Sequence, residues 1–413
     1  MQILSHFIFF YPLFMAVFWM IGAILFYFRR ERNVLHPPVL EEYPLVSILV
    51  PCHNEEESIA RTILHLARVR YPDFEIIAID DGSDDNTAMV LGRLQETIPR
   101  LRVITLDSNC GKAMALRAGA MASRGEFLMC VDADALLTED ALLWMIPHFS
   151  QSGRVGAVTG NPRVLNKRGL LARIQIGEFA SIIGMVKRSQ RDIGRIFTVS
   201  GVHVCFRKRA LHELGYWSPE TATEDIDISW RLQINYWDVR YEPRALSWIL
   251  VPETLRELWR QRLRWARGGA EAALKYASHM RNWTVRRMWP VYLEYWVSVI
   301  WCYAMLITLV LFFLTWLIPQ HVPPSLAISS MVPQWTGVVL ALTCLLQFAV
   351  GLFLDSHYEK RLFMNLYWAI WYPMVYWGLS CLATIVAVPQ IIRHGGQSAR
   401  YARWKSPERR ALS

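Results

Sequence analysis

Four long apolar runs constrain the fold of this chain more than any other feature. They lie at residues 3–28, 291–318, 335–354 and roughly 362–392. A helix of about 20 apolar residues crosses the hydrocarbon core of a membrane, so the runs predict membrane-spanning segments. We therefore expect four parts: a transmembrane anchor at 1–30, a soluble domain at 45–285, a transmembrane region at 286–392 and a basic tail at 393–413.

Positive charges beside the runs predict the orientation in the membrane. They are Arg29, Arg30 and Arg32 after the first run, and Arg281, Arg286 and Arg287 before the second. Because cytoplasmic segments next to a membrane are rich in lysine and arginine, we expect the soluble domain in the cytoplasm and the N-terminus outside. The first run is too long for a secretory signal peptide and has no charged segment in front of it, which favours an uncleaved anchor.

The C-terminal tail conflicts with a simple count of spans. Its basic residues are Arg393, Arg400, Arg403, Lys405, Arg409 and Arg410. These charges predict a cytoplasmic tail, whereas three plain spans after the soluble domain would place it outside. We favour a re-entrant or interfacial segment within 362–392, where Pro373 and Pro389 interrupt the apolar run.

The composition argues against several kinds of binding site. We interpret most of the net charge of +9 as basic residues that attract anionic lipid near the spans. Many of the tryptophans lie in the apolar runs and not among the basic residues, so no nucleic-acid partner is expected. Seven cysteines occur without a C-x-x-C spacing, which disfavours a zinc site and a disulfide framework.

The middle of the chain alternates between short apolar strands and helical segments. The predicted strands are 45–50, 74–80, 101–106, 126–132 and 155–160. Continuous apolar strands separated by helices predict a mostly parallel sheet covered on both faces. Residues 169–191 are amphipathic, and two interpretations stay open for them: a helix along the membrane interface or a helix packed on the sheet.

Polar clusters follow four of the predicted strands. They read PCHNEEES, DDGSDDNT, DSNCGKA and DADALLTED. Ligands of such sheets bind beyond the carboxyl ends of the strands. Four clusters at one rim therefore predict a binding site there.

Individual motifs within these clusters are weak indications when each is taken alone. Asp132 and Asp134 point to the same side of a strand end, as suits Mg²⁺ or Mn²⁺ held together with substrate phosphates. Asp81 stands before a glycine, where a simple β-turn is the competing interpretation. Lys112 ends a short segment, 109–112, that precedes a predicted helix start, where backbone N–H groups and a lysine can bind phosphate.

Two later motifs complete the set. Asp225 lies in TED, where it could act as a general base, although a helix capping box formed by Thr223 competes. In RQRLRWARGG (260–269) the helical spacing puts Gln261, Arg264 and Trp265 on one face. We assign Arg264 to a diphosphate. The other arginines of this segment, Arg260, Arg262 and Arg267, could form a membrane collar.

The order of the motifs DDG, DAD, TED and QRLRW resembles that of the processive, membrane-embedded family 2 glycosyltransferases, which include the cellulose, hyaluronan and chitin synthases. The match covers 45–270 in motif order, and the flanking apolar runs agree with it. Within this family, ARIQIGEFASIIGMVKRSQR (172–191), FTVSGVHVCFRKRAL and ATEDIDISWRLQ are most similar to the bacterial synthases of poly-β-1,6-N-acetyl-D-glucosamine.

The resemblance implies an α/β fold: a GT-A type nucleotide-sugar domain with a mostly parallel sheet, flanked by transmembrane helices. It implies inverting, processive transfer of N-acetylglucosamine from UDP-GlcNAc to a growing polysaccharide, which is exported across a bacterial inner membrane into a biofilm matrix. A divalent metal, Mg²⁺ or Mn²⁺, and a small membrane partner subunit would take part.

The resemblance also implies a role for each matching residue. Asp225 would be the catalytic base. The donor nucleotide would contact Pro51, Asn54, Glu55, Asp81, Lys112, Asp132, Gln261 and Arg264. The acceptor would contact Ser200, Gly201 and Trp265, and the metal would bind Asp134 together with Asp132.

Two alternatives stay open on the sequence. The product could instead be hyaluronan, chitin or cellulose, or the enzyme could make a single transfer to a lipid, because the motifs do not distinguish these substrates. In the second alternative, a transport or scaffold protein binds a nucleotide-sugar without turnover. The complete set of acidic and QxxRW motifs argues against that second alternative.

Overall fold

A computed structural model describes residues 2–221, 223–324, 326–327, 335–372 and 376–393. Among them, eight strands form one sheet. They are β1 (Val46–Cys52), β2 (Phe74–Asp81), β3 (Leu101–Leu106), β4 (Phe127–Val131), β5 (Leu136–Leu137), β6 (Val155–Val164), β7 (His203–Arg207) and β8 (Asp238–Ile249). All five predicted strands are present, and β5, β7 and β8 are additional.

The strand order is β3-β2-β1-β4-β7-β6-β8-β5. The first four strands in this order are parallel to one another, and β6 pairs with β8 in parallel. Strand β7 runs antiparallel between β4 and β6. The sheet is thus mostly parallel, as expected, and the carboxyl ends of β1, β2, β3 and β4 meet at one rim.

Fourteen α-helices are numbered along the described residues. They are α1 (Gln2–Phe26), α2 (Ile59–Leu66), α3 (Thr87–Thr97), α4 (Lys112–Ala122), α5 (Ala141–Met145), α6 (Pro147–Gln151), α7 (Leu170–Glu178), α8 (Met185–Ile193), α9 (Lys208–Glu213), α10 (Glu224–Ile234), α11 (Leu255–Lys275), α12 (Trp289–Leu317), α13 (Trp335–Asp355) and α14 (Gly378–Arg393).

Alternate residues of the central strands enter two separate cores. Ile48 and Val50 pack with α2 on one face, and Leu49 packs with α4 on the other. Because both faces are covered by helices, each strand is apolar along its whole length. This double burial explains why the strands could be recognised from composition alone.

The amphipathic stretch 169–191 forms α7 and α8, joined by a π-helical segment at Phe179–Gly184. The interpretation of this stretch as a helix packed on the sheet is confirmed, and a position along the membrane interface stays a prediction. Its apolar side chains enter the core beneath the sheet, while Ser181 donates a hydrogen bond to the Phe348 carbonyl of α13. The stretch therefore lies between the soluble domain and the apolar helices.

Three helical stretches in the described residues are long and apolar enough to cross a membrane: 2–31, 283–317 and 336–355. The predicted fourth run is interrupted. It forms a short 3₁₀ helix at Leu362–Trp371 and the 16-residue α14, which contains Pro389. Pro373 and the basic residues Arg400, Arg403, Lys405, Arg409 and Arg410 lie outside the described residues, so the orientation of the tail stays a prediction.

A buried set of charges, here called the junction cluster, joins the apolar helices to the soluble domain. It comprises Glu31, Arg163, Arg188 and Asp355. The Arg188 guanidinium contacts Glu31 at 2.8 and 2.9 Å and Asp355 at 2.8 Å. Arg163 donates to the Asp355 carboxylate at 2.8 Å. One carboxylate therefore binds two arginines from different elements of the soluble domain.

Candidate active site

The loops after β1, β2 and β3 are held together by His53. Its Nδ1 donates to the Asp81 carbonyl at 2.9 Å, because a carbonyl only accepts. The remaining ring nitrogen, Nε2, accepts from the Asn109 side-chain amide at 2.9 Å. Asn54 adds a second link, since its side-chain oxygen accepts from the Asp84 backbone N–H at 2.8 Å. The rim is therefore preorganised by hydrogen bonds that the sequence patterns did not reveal.

Asp81 is fully buried, and both of its carboxylate oxygens accept hydrogen bonds from the next loop. The donors are the backbone N–H groups of Cys110 at 2.9 Å and Gly111 at 2.8 Å. Burial raises the pKa of Asp81, and these two N–H groups oppose the rise. The loop N–H groups before Lys112, expected to be available to phosphate, thus bind Asp81. A contact between Asp81 and a nucleotide stays a prediction.

Three further residues predicted to bind the donor lie on or beside this rim. Pro51 is buried within β1 and paired with Ile79. Glu55 is buried, and its carboxylate accepts from the Ser58 hydroxyl at 2.6 Å. Gln261 is half-buried on α11. The contacts of Pro51 and Glu55 are internal, and the roles of all three residues toward a donor stay predictions.

Lys112 connects three of the predicted motifs. Its ammonium group lies 2.6 Å from the Asp132 carboxylate and 3.0 Å from the Glu224 carboxylate. It also donates to the Gly201 carbonyl at 3.3 Å. Burial alone would lower the pKa of Lys112, but Asp132 and Glu224 raise it above its ordinary value. The lysine therefore stays charged and draws separate parts of the chain to one point.

Glu224 and Asp225 begin α10, but the capping-box interpretation of this motif is wrong. Thr223 precedes the helix and its side chain makes no capping hydrogen bond. Instead Glu224 binds Lys112, and Asp225 lies above Gly201. A Cβ atom built on Gly201 would stand 3.1 Å from an Asp225 carboxylate oxygen, so this glycine leaves space that a side chain would fill.

The two neighbouring carboxylates have different pKa values. Burial, and then repulsion from Glu224, raise the pKa of Asp225 to about 6, although Lys112 and Arg264 oppose the rise. Burial also acts to raise the pKa of Glu224, but attraction to Lys112 gives a net decrease. Glu224 is thus held as an anion by the lysine. Asp225 is the group able to take up a proton near neutral pH.

Helix α11 brings the QRLRW motif against this acidic turn. It begins with a complete capping box, in which Thr254 and Glu257 bond each other's backbone N–H groups. Further along, Gly268 touches Thr223 so closely that a methyl group there would lie 2.5 Å from Thr223 Cγ2. This approach puts the exposed Arg264 within electrostatic range of both Glu224 and Asp225. Arg264 is the arginine that was assigned to a diphosphate.

The other arginines of α11 differ, and the collar interpretation is wrong for two of them. Arg262 is buried and bonds both oxygens of Glu178, at 2.7 and 2.6 Å. Its guanidinium also stacks 4.5 Å from the ring centre of Trp265. Arg267 donates to the Gln390 side chain of α14 at 2.7 Å. Of the three arginines assigned to a collar, Arg260, Arg262 and Arg267, only Arg260 is exposed as a collar would require.

The predicted acceptor loop rests on a buried lysine that sequence analysis missed. Lys187 of α8 donates to the Ser200 hydroxyl at 2.7 Å. Burial lowers the pKa of Lys187 to about 7, and attraction to Asp225 limits the decrease. The only signal in the sequence was a lysine on the polar side of an amphipathic helix, a position where lysine is usually solvated.

The residues predicted for a metal were tested against the geometry. Asp134 is buried, and Asp132 is bound to Lys112. Among the described residues, no three acidic, histidine or cysteine side chains lie close enough to hold an ion by themselves. One or two carboxylates suit a divalent ion whose other ligands are substrate phosphates and water. The residues therefore fit an ion that arrives with the substrate.

A sequence profile described as "Glycosyltransferase like family 2" matches residues 44–268, which is more than half of the chain. The chain belongs to this family. The matched region contains every predicted site residue, from Pro51 to Trp265, and ends at Gly268, where α11 meets the acidic turn. In this glycosyltransferase, the region that matches the family and the polar rim therefore lie in the same part of the chain.

Curated relatives match the family 2 enzyme along nearly its whole length. It is 38% identical over 408 residues to a poly-β-1,6-N-acetyl-D-glucosamine synthase of Staphylococcus epidermidis, with 98% of each chain covered. A synthase of the same name from Staphylococcus aureus strain COL is 38% identical over 412 residues, again with 98% of each chain covered. The similarity thus includes the apolar helices as well as the soluble domain.

A solved structure agrees with the fold of the family 2 enzyme. A mannosyltransferase from Pyrobaculum calidifontis, in complex with GDP-Man and Mn²⁺, superposes with a TM-score of 0.59 at 17% identity. The superposition covers 92% of this chain and 97% of the other. It shows that the soluble domain has the GT-A fold, as expected from the resemblance.

Proposed function

We propose that this enzyme polymerises N-acetylglucosamine from UDP-GlcNAc into β-1,6-linked poly-N-acetylglucosamine. The relatives that match it along 98% of its length carry the name of that synthase. The observation that carries the proposal is the ion pair of Lys112 on α4 with Glu224, the neighbour of Asp225, while Arg264 of α11 lies within electrostatic range of both carboxylates. A base, an anchored rim and an exposed guanidinium are the groups that sugar transfer from a nucleotide diphosphate requires.

Asp225 is proposed as the base of the transfer step. Its carboxylate takes the proton from the 6-hydroxyl of the terminal sugar as that oxygen attacks C1 of the donor sugar. The bond between C1 and the diphosphate oxygen breaks, and UDP leaves with the electron pair. Attack from the side opposite to the leaving group inverts C1, which gives the β linkage. The raised pKa of Asp225 suits this role.

The donor is proposed to bind between the strand-end rim and α11. Arg264, exposed on α11, can bind phosphate oxygens with its planar guanidinium. Asp134 and Asp132 would hold a divalent ion, which supplies positive charge for the leaving diphosphate. Trp265, Ser200 and Gly201 would contact the acceptor, since Gly201 lies directly beneath Asp225.

The membrane part of the proposal follows from the three long apolar helical stretches. We propose that the enzyme is a multi-pass protein of the bacterial inner membrane, with Asp225 on the cytoplasmic side, and that it passes its product across that membrane toward a biofilm matrix. A small membrane partner subunit belongs to the same proposal. It predicts that coexpression with such a subunit increases polymer synthesis.

Radiolabelled donors test the proposal. Membranes containing the protein are incubated with UDP-GlcNAc, UDP-glucose or UDP-glucuronate, each labelled in the sugar, with and without Mg²⁺ or Mn²⁺. We expect acid-precipitable polymer from UDP-GlcNAc alone, and its degradation by an enzyme specific for β-1,6-linked N-acetylglucosamine. Polymer that forms only with another donor, or only when UDP-glucuronate is added, would replace poly-N-acetylglucosamine by a different product.

Asp225→Asn tests the base. The amide keeps the size of the side chain but cannot accept the proton, so the rate should fall by about 10²–10⁴-fold. Glu213→Gln, which alters an exposed carboxylate on α9 away from the rim, is the matched control and should keep the wild-type rate. An Asp225→Asn variant as active as this control would remove Asp225 from the mechanism.

A further inference from the structure

Three arginines gather around one carboxylate at the end of α8, outside the proposed catalytic site. Arg191 lies 3.4 Å, Arg195 3.7 Å and Arg240 3.1 Å from the carboxylate oxygens of Asp238. Their side chains are only 12%, 10% and 15% exposed. We call these three residues the arginine cluster.

In the arginine cluster, fewer carboxylates are available to each guanidinium than at Arg188 and Arg262, two other buried arginines of the protein. Arg188 contacts two carboxylates, and Arg262 has both oxygens of Glu178 to itself. Asp238, by contrast, is shared by three guanidinium groups. Charges removed from water are costly unless they are paired, so this excess of positive charge favours binding of an additional anion.

One hydrogen-bond donor of the cluster has no acceptor. The Nε–H of Arg195 is buried and makes no hydrogen bond within the described residues, while Nη1 donates to the Gly194 carbonyl at 2.9 Å. Arg195 follows Gly194, whose φ of +106° ends α8 and turns the chain. The Arg195 guanidinium is thus held in place by one hydrogen bond, while its Nε–H donor has no acceptor among the described residues.

Further arginines surround the cluster and add to its positive field. Arg154, Arg287 and Arg30 each repel a member of it. Burial lowers the pKa of both Arg191 and Arg195, although Asp238 opposes the decrease. Asp192, which follows Arg191 in the chain, is engaged by Arg29 and Arg30 at 3.6 and 3.5 Å.

The position of the cluster relative to the apolar helices indicates the kind of anion. Arg30 lies in the last turn of the first apolar helical stretch, and Arg287 lies near the start of the second. A site between two such ends is at the depth of lipid headgroups. A guanidinium binds phosphate oxygens in bidentate fashion through two parallel N–H groups. One carboxylate cannot accept hydrogen bonds from all the N–H groups of three guanidinium groups.

We propose that Arg191, Arg195 and Arg240 form a binding site for a phosphate-bearing anion at the membrane face of the soluble domain. The same chemistry fits the headgroup of an anionic phospholipid and a soluble phosphate monoester. The site is separate from the proposed donor site, because it is built from α8, the residues directly after it and β8, and contains none of the rim residues. It does not depend on the proposed function.

The binding experiment uses the full-length protein in nanodiscs of phosphatidylcholine. In one arm, phosphatidylglycerol replaces part of the lipid, and bound lipid is counted by native mass spectrometry. In the other arm, glycerol 1-phosphate or inorganic phosphate is titrated, and the unfolding temperature is followed. Arg195→Gln should weaken binding about tenfold, the change that corresponds to about 1.4 kcal/mol, because the variant loses charge-assisted hydrogen bonds to the anion.

Asp238→Asn tests the proposal through an expected increase in affinity. It removes the negative charge that competes with the ligand, so the affinity should rise, an effect that impaired folding would not produce. Arg209→Gln, an exposed arginine on α9, is the control and should bind as the wild type does. Binding in the lipid arm identifies a headgroup, and binding in the soluble arm alone identifies a free phosphate. No binding in either arm, or equal binding by Arg195→Gln and Arg209→Gln, overturns the proposal.

Discussion

Glu224 and Asp225 are adjacent carboxylates, and their surroundings give them different tasks. Glu224 pairs with Lys112 at 3.0 Å and its pKa falls. Asp225 is half-buried and has no ion pair among the described residues, and burial and repulsion from Glu224 raise its pKa to about 6. When the environments of two acids separate their pKa values, the roles of structural anion and proton acceptor separate too.

The pH dependence of the reaction follows from Asp225. A base works only when deprotonated, and a raised pKa means that the carboxylate gains its proton at a higher pH than an ordinary aspartate. We expect the initial rate of polymer formation to be steady above about pH 7 and to fall as the pH drops through the pKa of Asp225. Initial rates at saturating donor measure this. A rate that stays constant well below the Asp225 pKa would contradict the assignment.

Lys187 should move that pH profile without contacting the substrate. Its positive charge favours the ionised form of Asp225, so Lys187→Met should raise the Asp225 pKa and shift the acid limb to higher pH. Lys187→Arg keeps the charge and should keep the wild-type limb. If Lys187→Met lowers the rate equally at every pH, the lysine only supports the fold around Ser200.

Sequence reasoning found residues whose chemistry is visible in a motif and missed those whose role depends on packing. Asp132, Lys112 and Asp225 were found because they follow strands or begin a helix, where ligands bind. His53 and Lys187 were missed because their partners, Asn109 and Ser200, are distant in sequence. Hydrogen bonds between loops leave no periodic pattern.

At the scale of elements, α11 makes two different contacts along its length. Its middle is anchored by the buried pair of Arg262 with Glu178. Its later part touches the acidic turn through Gly268. The helix was predicted, but its rotation was not, because a helical repeat of arginines does not reveal which of them finds a buried partner.

Gly268→Ala should disturb the acidic turn. The added methyl group would overlap the Thr223 side chain, and a displacement of about 1 Å at a catalytic group can reduce the rate by about 10²-fold. The measurement is the rate of polymer synthesis at equal amounts of folded protein. Gly92→Ala on α3 is the control, because no atom lies within 4 Å of its added methyl group. Equal rates for the two variants would show that the approach of α11 is not needed.

The strands show a similar division between what sequence reveals and what it does not. β1, β2 and β4 are mostly apolar and fully buried, since helices cover both faces, and they were predicted within a few residues. β7 was not, because a five-residue strand running against its neighbours has no distinctive composition. Its presence between β4 and β6 is decided by tertiary packing.

At the scale of the whole molecule, the junction cluster joins the soluble domain to the apolar helices. Arg188 lies on α8, Glu31 at the end of the first apolar helical stretch and Asp355 at the end of α13. Removing one member of a buried ion pair leaves the partner charged and without compensation. This cluster is therefore the contact through which the two parts should depend on each other most strongly.

Arg188→Met should destabilise the protein by about 3–5 kcal/mol, because Glu31 and Asp355 would lose their shared partner. Thermal unfolding in detergent measures the effect. Arg209→Gln breaks an exposed ion pair on α9 and should cost at most about 1 kcal/mol. An Arg188→Met variant that unfolds at the same temperature as Arg209→Gln would show that the junction does not hold the parts together.

The two partners of Arg188 lie 157 residues before it and 167 residues after it in the chain. During synthesis the ribosome delivers Glu31 first, then α8, and Asp355 only after the second long apolar helical stretch. Arg188 can acquire one counterion early, but its set is incomplete until α13 emerges. Final docking of the soluble domain is consequently a late event in biogenesis, and nascent chains stalled before residue 355 should be more sensitive to protease than released ones.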